Sequence, residues 1–190
     1  MLERLALQLT SFICTEAYNN PIDKAKIQYG LSVILSEGLK FISLILFFTI
    51  IHNQKYFYFS LCILLSIRIF AGGIHVKGTL NCLLLTTLLF IFTSVLAPLM
   101  PRFHTAYYLF VGIVSLVIVL VRAPICSVVR PIKNNKKKLQ YKFTAALAVA
   151  IWTIVLLLLG NTPYINCGFS TIFAQSIQLV LVKKPKLYHT

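Results

Sequence analysis

The sequence predicts an all-α, polytopic membrane protein, and three observations support this fold class. Of the 190 residues, 58% are apolar and only 12% are charged. The mean hydropathy is +0.86, and the apolar residues form long runs with basic clusters in the gaps between them. A soluble domain of this size has too little polar surface to cover so much apolar side chain, and disorder requires low hydrophobicity. We therefore expect a single integral membrane domain over residues 1–190.

Residues 1–20 predict an amphipathic helix that lies on the membrane surface. Apolar side chains recur there at helical spacing, namely Leu2, Leu5, Leu9, Phe12 and Ile13. Glu3 and Arg4 come early, and no long apolar core precedes a small-residue cleavage site. A cleavable signal peptide is therefore not expected.

Six apolar segments follow, and each predicts a helix. Their approximate bounds are residues 30–51, 56–70, 79–100, 105–121, 143–160 and 165–182. The last four reach or approach the ~20 residues that a helix needs to cross the ~30 Å hydrocarbon core. Glu37 and Lys40 interrupt the first segment at a spacing that lets them pair on one helix face, and the second ends at Arg68. These two segments either cross as tilted spans or form a re-entrant hairpin.

The distribution of positive charge predicts the orientation. With the N-terminus in the cytoplasm, fifteen of the eighteen Lys and Arg residues fall on the inner side. Lys55 and Arg102 fall on outer loops, and Lys40 lies within a span. This positive-inside bias places both termini in the cytoplasm.

The most polar stretch is a predicted cytoplasmic loop at residues 122–142, where Pro124 and Pro131 disfavour one uninterrupted helix. Its basic residues, Lys136, Lys137 and Lys138 among them, have two compatible interpretations: they anchor the chain at anionic lipid, or they bind an acidic peptide. A net charge of +14 would indicate nucleic acid in a soluble protein. Here the charges sit between membrane segments, so no nucleic-acid partner is expected.

The cysteines predict neither disulfides nor a metal site. They are odd in number and scattered, at Cys14, Cys62, Cys82, Cys126 and Cys167. No pair has metal-ligand spacing, and His75 with Cys82 supplies too few ligands for zinc. We therefore expect no metal and no cofactor.

The residues that can carry chemistry lie between segments two and three. Arg68, Gly73, His75 and Cys82 place a cation, a flexible backbone position, a candidate base and a candidate nucleophile at one membrane boundary. A cysteine protease needs an imidazole to take the thiol proton and a sulfur to attack a carbonyl. The cluster therefore indicates nucleophilic catalysis, although a His and a Cys in one membrane loop also occur together by chance.

Geometry limits this hypothesis. In an unbroken α-helix His75 and Cys82 would lie about 10.5 Å apart along the axis, which is too far for a hydrogen bond. Glycines between Arg68 and Cys82 give the backbone freedom to fold back. We therefore predict a non-helical turn around residues 72–79, with Cys82 in the first turns of the next helix.

This cluster resembles the AgrB (accessory gene regulator protein B) family of membrane cysteine endopeptidases, which process precursors of cyclic autoinducing peptides in Gram-positive bacteria. The resemblance rests on Arg68, Gly73-x-His75 and Cys82. His75 lies seven positions after Arg68, and Cys82 lies seven positions after His75. Further similar elements are Tyr29-Gly30-Leu31, Ala123-Pro124 and Arg130-Pro131-Ile132. The sequence departs from the family at Ser32 and at Ile125-Cys126, where the family often has an acidic residue.

The resemblance implies that Cys82 is the nucleophile and His75 its base, and that Arg68 and Gly73 support activity. The implied partner is a precursor peptide with an amphipathic N-terminal helix and an acidic C-terminal tail. Removal of the tail through an acyl-enzyme thioester would let the peptide cyclise to a thiolactone or lactone. The family also suggests a homodimer, contact with lipids and a place in the cell membrane.

Two interpretations stay open for Arg68, and two alternatives to a peptidase stay open for the chain as a whole. Arg68 either clamps a carboxylate or oxyanion or simply ends a span at the inner interface. The chain as a whole could instead be a small peptide exporter with His75 on its pathway, or a non-catalytic membrane scaffold. An exporter would be expected to show broken spans in repeated halves, and the sequence shows no repeat.

Overall fold

The computed structural model describes residues 21–73, 79–125 and 134–182. Within these ranges the chain forms six helices and no strand, which confirms the all-α prediction. The predicted surface helix over residues 1–20 lies outside the described residues. His75 also lies outside them.

The six helices correspond one to one to the six predicted apolar segments. Helix α1 is Pro21–Ile50 and α2 is Gln54–Ala71. Helix α3 begins as Thr79–Ile91, continues through a π-helical turn at Phe92–Leu96 and ends as Ala97–Leu99. Helices α4, α5 and α6 are Thr105–Arg122, Asn135–Leu159 and Thr162–Leu181.

Among the residues that the structure describes, four helices are long and apolar enough to cross a membrane. These candidate spans are Gly30–Ile50, Leu80–Leu99, Thr105–Arg122 and Asn135–Leu159. The first segment, which sequence reasoning ranked among the weaker ones, is included, whereas α2 and α6 are not. Helix α6 carries several polar side chains, and these side chains face the protein interior: Asn166, Thr171, Gln175 and Ser176 are all buried. Polar residues within a membrane are tolerated where they face the interior of a helix bundle.

The chain divides into two compact units, one ending at His52 and the other beginning at Asn53. Helix α1 belongs to the first unit. In it the Lys40 ammonium bonds the Glu37 carboxylate at 2.7 Å, which confirms the predicted intrahelical pair.

Helices α2 to α6 belong to the second unit. Helices α5 and α6 pack against each other, and each of them packs against both α2 and α4; the last turns of α3 pack against α6. The core they share is formed by Ile63, Ile67, Ala71, Tyr108, Val111, Val119, Ala123, Ala145, Ala146, Val149, Leu156, Ile165, Phe169, Ile172 and Leu179. This packing fixes where the carboxyl end of α2 meets α6 and the segment after α4.

The predicted basic loop over residues 122–142 was too long, because its second half is helical. Helix α5 begins at Asn135, and the Asn134 side chain accepts the Lys136 backbone N–H at 2.9 Å as an N-cap. Asparagine is among the best N-cap residues, and lysine is a good helix former. The three consecutive lysines therefore lie exposed on the first turn of α5.

Candidate active site

Helix α2 ends at a glycine whose conformation excludes other residues. Gly72 has φ +80° and ψ −170°, and its N–H donates to the Arg68 carbonyl at 2.9 Å. A Cβ at this position would lie 2.9 Å from the backbone oxygen of Ile125. Both the positive φ and the close backbone contact require glycine here.

Gly73, the next residue, leaves room for the Arg68 side chain. A Cβ on Gly73 would lie 2.8 Å from Cζ and 2.9 Å from Nε of Arg68. The guanidinium therefore lies directly against the bare backbone of Gly73. Its Nη1 also donates to Oε1 of Gln178 on α6 at 3.1 Å. The structure thus brings together two of the predicted site residues, Arg68 and Gly73.

One turn earlier on α6, Gln175 holds the backbone of the same turn. Its Nε2 donates to the Gly72 carbonyl at 2.8 Å, and its side chain has no exposed surface. Its Oε1 has no hydrogen-bond partner among the residues that the structure describes. The amide orientation follows from the bond, because the opposite orientation would face two oxygens toward each other.

The segment after α4 completes this region. The Ile125 N–H donates to the Ala71 carbonyl at 3.0 Å, and Ala123 and Pro124 are buried. The Ala123–Pro124 element singled out in the sequence therefore lies against the carboxyl end of α2. We call the residues that meet here the Arg68 end of the second unit: Arg68, Gly72, Gly73, Ile125, Gln175 and Gln178.

The candidate nucleophile lies at the start of α3. Cys82 is the fourth residue of that helix, a free thiol whose residue is 8% exposed. Helix α2 ends at Ala71 and α3 begins at Thr79, so the predicted helix break agrees with the structure at both of its described borders. Because His75 lies outside the described residues, its approach to Cys82 stays a prediction.

The basic turns of α5 lie beside the same end of α2. The rings of Phe70 and Tyr141 are 6.3 Å apart, which places the lysine-bearing turns next to the Arg68 end. One face of these turns lines a surface depression of about 440 Å³, formed by Lys136, Leu139, Gln140, Phe143 and Thr144. This face combines positive charge with apolar side chains, as an amphipathic ligand with an acidic part would require.

The remaining described cysteines and histidines have other environments. Cys62 is exposed on α2, and Cys167 is buried within hydrogen-bond distance of Ser60 at 2.9 Å. The His104 side chain caps α4 by accepting the Ala106 N–H at 3.3 Å. Among the described residues no group of His, Cys, Asp or Glu could hold a metal ion.

Sequence reasoning missed the two glutamines on α6. Gln175 and Gln178 are three residues apart in an otherwise apolar segment, and polar residues inside a membrane helix are candidates for function. That signal was present in the sequence, but the residues that they contact are more than 100 positions away.

Comparisons with known proteins point in one direction. The family profile described as Accessory gene regulator B matches residues 6–179. A protein of Clostridium beijerinckii described as AgrB-like is 36% identical over 160 residues, which are 84% of this chain and 78% of that protein. A second AgrB-like protein, from Clostridium perfringens, is 26% identical over 190 residues, covering 95% and 87% of the two chains. No solved structure matches the chain.

Proposed function

Since this chain belongs to the accessory gene regulator B family, we propose that it is a membrane-embedded cysteine endopeptidase that removes the C-terminal tail of an autoinducer precursor peptide. The family works in the agr quorum-sensing system, in a membrane and on a precursor peptide. The peptidase chemistry of this chain, with Cys82 and His75 as its dyad, is the proposal.

One observation carries the proposal. Seven residues separate the end of α2 from the start of α3, and the candidate base lies among them. Helical geometry therefore does not impose the separation of about 10.5 Å that a continuous helix would give. Gly72, at positive φ, turns the chain out of α2, and Cys82 follows in the first turn of α3.

The first chemical step transfers the peptide to the enzyme. His75 takes the proton from the Cys82 thiol, and the sulfur attacks the carbonyl carbon at the junction between the central segment and the tail. The tetrahedral intermediate collapses when His75 returns that proton to the tail nitrogen. The C–N bond breaks, the tail leaves with a new amino terminus, and a thioester on Cys82 remains.

The second step closes the ring. A Cys or Ser side chain of the bound peptide attacks the thioester carbonyl, its proton passes to the Cys82 sulfur, and the free enzyme returns. Holding the two groups together makes this an intramolecular step, for which effective molarities reach about 10⁵ M or more. A poorly hydrated site favours ring closure over hydrolysis.

Two further groups support these steps in the proposal. The Arg68 guanidinium stabilises a substrate carboxylate or the developing oxyanion. The basic first turn of α5, Lys136, Lys137 and Lys138, binds the acidic tail. Both groups belong at the cytoplasmic face, with both termini of the chain in the cytoplasm.

The test is to look for the acyl-enzyme directly. Purified protein in liposomes is incubated with a candidate precursor peptide, and the intact mass is measured after rapid acid quench. We expect an added mass equal to the precursor without its tail. Cys82→Ser and His75→Ala should abolish the thioester adduct.

Two matched variants serve as controls. Cys62→Ser removes an exposed cysteine from α2, and His104→Ala removes a histidine from the far end of α4; both should form the adduct. Tail release without any covalent intermediate, or adduct formation in Cys82→Ala, would refute the cysteine mechanism. Transport of intact peptide without cleavage would favour an exporter instead.

A further inference from the structure

Helix α6 contacts the Arg68 end through two side chains that the proposed chemistry does not use. Gln175 and Gln178 are three residues apart and therefore lie on one face of the helix. The first donates to the Gly72 carbonyl at 2.8 Å, and the second accepts from the Arg68 guanidinium at 3.1 Å. Together they hold both the backbone and the cation of the turn that leads toward Cys82.

A glutamine at position 175 brings little net gain in stability. Its side chain has no exposed surface, and its Oε1 is unpaired within the described part of the chain. An unpaired buried acceptor lowers the free energy of unfolding by at least as much as one hydrogen bond raises it. An apolar side chain of equal length would remove this unpaired oxygen together with the bond to the Gly72 carbonyl, and the two effects on the free energy of unfolding oppose one another.

We propose, building on the function proposed above, that Gln175 is a positioning residue of the peptidase and that Gln178 assists it. Gln175 fixes the Gly72 carbonyl and so fixes where the chain leaves α2, three residues before His75. Gln178 keeps the Arg68 guanidinium against Gly73. Helix α6, which carries neither Cys82 nor His75, thus fixes the point at which the segment containing His75 begins.

Gly72 makes this anchor effective. A glycine at positive φ has little steric restraint of its own, so its carbonyl needs an external partner to keep one direction. The Ile125 N–H bonds to the preceding carbonyl, that of Ala71, at 3.0 Å. The bond from Gln175 holds the next carbonyl, that of Gly72, so one further residue of the backbone is fixed.

The decisive variant is Gln175→Met, which keeps the length and removes the donor. We expect acylation by the precursor in single turnover to slow about 10- to 100-fold, because a displacement of about 1 Å in a reacting group can have an effect of this size. The dissociation constant of the precursor should change less than about twofold, since a positioning role acts on the chemical step. The apparent melting temperature in detergent should change little, because the lost bond and the removed unpaired oxygen oppose one another.

Ser176→Ala is the matched control. Ser176 is the next residue of α6 and is also buried, but its hydroxyl bonds within the helix to the Ile172 carbonyl at 2.9 Å. We expect this variant to keep the wild-type acylation rate. Unchanged acylation in Gln175→Met, or a loss that follows the melting temperature, would overturn the positioning role.

A second measurement does not depend on peptidase activity. Amide hydrogen exchange is followed by mass spectrometry on peptides that cover residues 68–82. We expect faster exchange in Gln175→Met and unchanged exchange in Ser176→Ala; equal exchange in both would overturn the inference. If the wild type forms no adduct but the exchange rises as expected, the proposed function fails while the anchor by Gln175 stands.

Discussion

The two ends of the second unit differ in how completely their buried polar groups are paired. At the end formed by Met100, Pro101, Phe103, Tyr108 and Asn166, which we call the Tyr108 end, the polar groups satisfy one another. The Tyr108 hydroxyl donates to Oδ1 of Asn166 and accepts the Phe103 N–H at 3.0 Å. The Asn166 amide donates to the carbonyls of Met100 and Pro101 at 2.8 and 3.3 Å.

The Arg68 end contrasts with this arrangement. Two glycines replace side chains there, one at positive φ and one beneath a guanidinium. A buried amide oxygen of Gln175 has no partner within the described ranges. Satisfied networks rigidify a fold, whereas strained or unsatisfied groups concentrate at functional sites. In the function proposed above, the Arg68 end carries the chemistry, and the Tyr108 end holds the bundle together.

The largest effect of breaking this contrast is expected from Gly73→Ala. The added Cβ would lie 2.8 Å from Cζ of Arg68, so the guanidinium must move. We expect acylation to slow about 100-fold, the scale of a 1 Å misplacement. Stability should change little because the arginine side chain can swing away. Thioester formation in single turnover measures the first effect and thermal unfolding the second.

Gly38→Ala in α1 is the control for that substitution. A Cβ on Gly38 meets no atom within 4 Å, and alanine is favoured over glycine in a helix. This variant should keep full activity and be no less stable. Full activity in Gly73→Ala would mean that the contact between Arg68 and Gly73 has no role in the reaction.

Tyr108→Phe tests the other end. It leaves Oδ1 of Asn166 and the Phe103 N–H without their shared partner, which costs about 1–3 kcal/mol of unfolding free energy. Acylation measured below the melting temperature should equal that of the wild type. A variant as stable as the wild type but slow in acylation would reverse the roles assigned to the two ends.

Arg68→Lys separates charge from shape at the Arg68 end. Lysine keeps the positive charge but loses the planar fork that bonds Gln178 and lies on Gly73. We expect acylation about 10-fold slower, a smaller loss than removal of a complete oxyanion donor. Wild-type rates in Arg68→Lys would leave Arg68 as a basic residue that ends a helix at the interface.

The smallest effect is expected from the exposed lysines at the start of α5. Replacing Lys136, Lys137 and Lys138 together with Gln should weaken precursor binding about fivefold, since three exposed ion pairs of about 0.3 kcal/mol each add up to about 1 kcal/mol. The salt dependence of binding should fall in the same variant. Titrations at two ionic strengths measure both, and identical curves would leave these lysines as a topology signal only.

Much of this fold follows from local sequence. Each apolar run became a helix, and the break between α2 and α3 follows from glycines at positions 72 and 73. The pair of Glu37 and Lys40 follows from their spacing of three. The early start of α5 was missed because charge suggested a loop, although Asn134 offers an N-cap.

The contacts that build the Arg68 end could not be predicted in the same way. Hydrophobic runs give the length of a helix but not which face it turns toward its neighbours. The bond between Gln175 and Gly72 joins residues 103 positions apart, and only the packing of α6 against α2 brings them together. The stacking of Arg68 on Gly73 likewise depends on the exact path of the chain after α2.

The position of the covalent intermediate on the chain decides whether Cys82 is the nucleophile. After reaction with the precursor, the acid-quenched protein is digested and the cysteine-containing peptides are analysed by tandem mass spectrometry, with and without neutral hydroxylamine. We expect a hydroxylamine-sensitive acyl group on Cys82 and none on Cys62 or Cys167. An acyl group on either of those cysteines, with Cys82 unmodified while the tail is released, would contradict it.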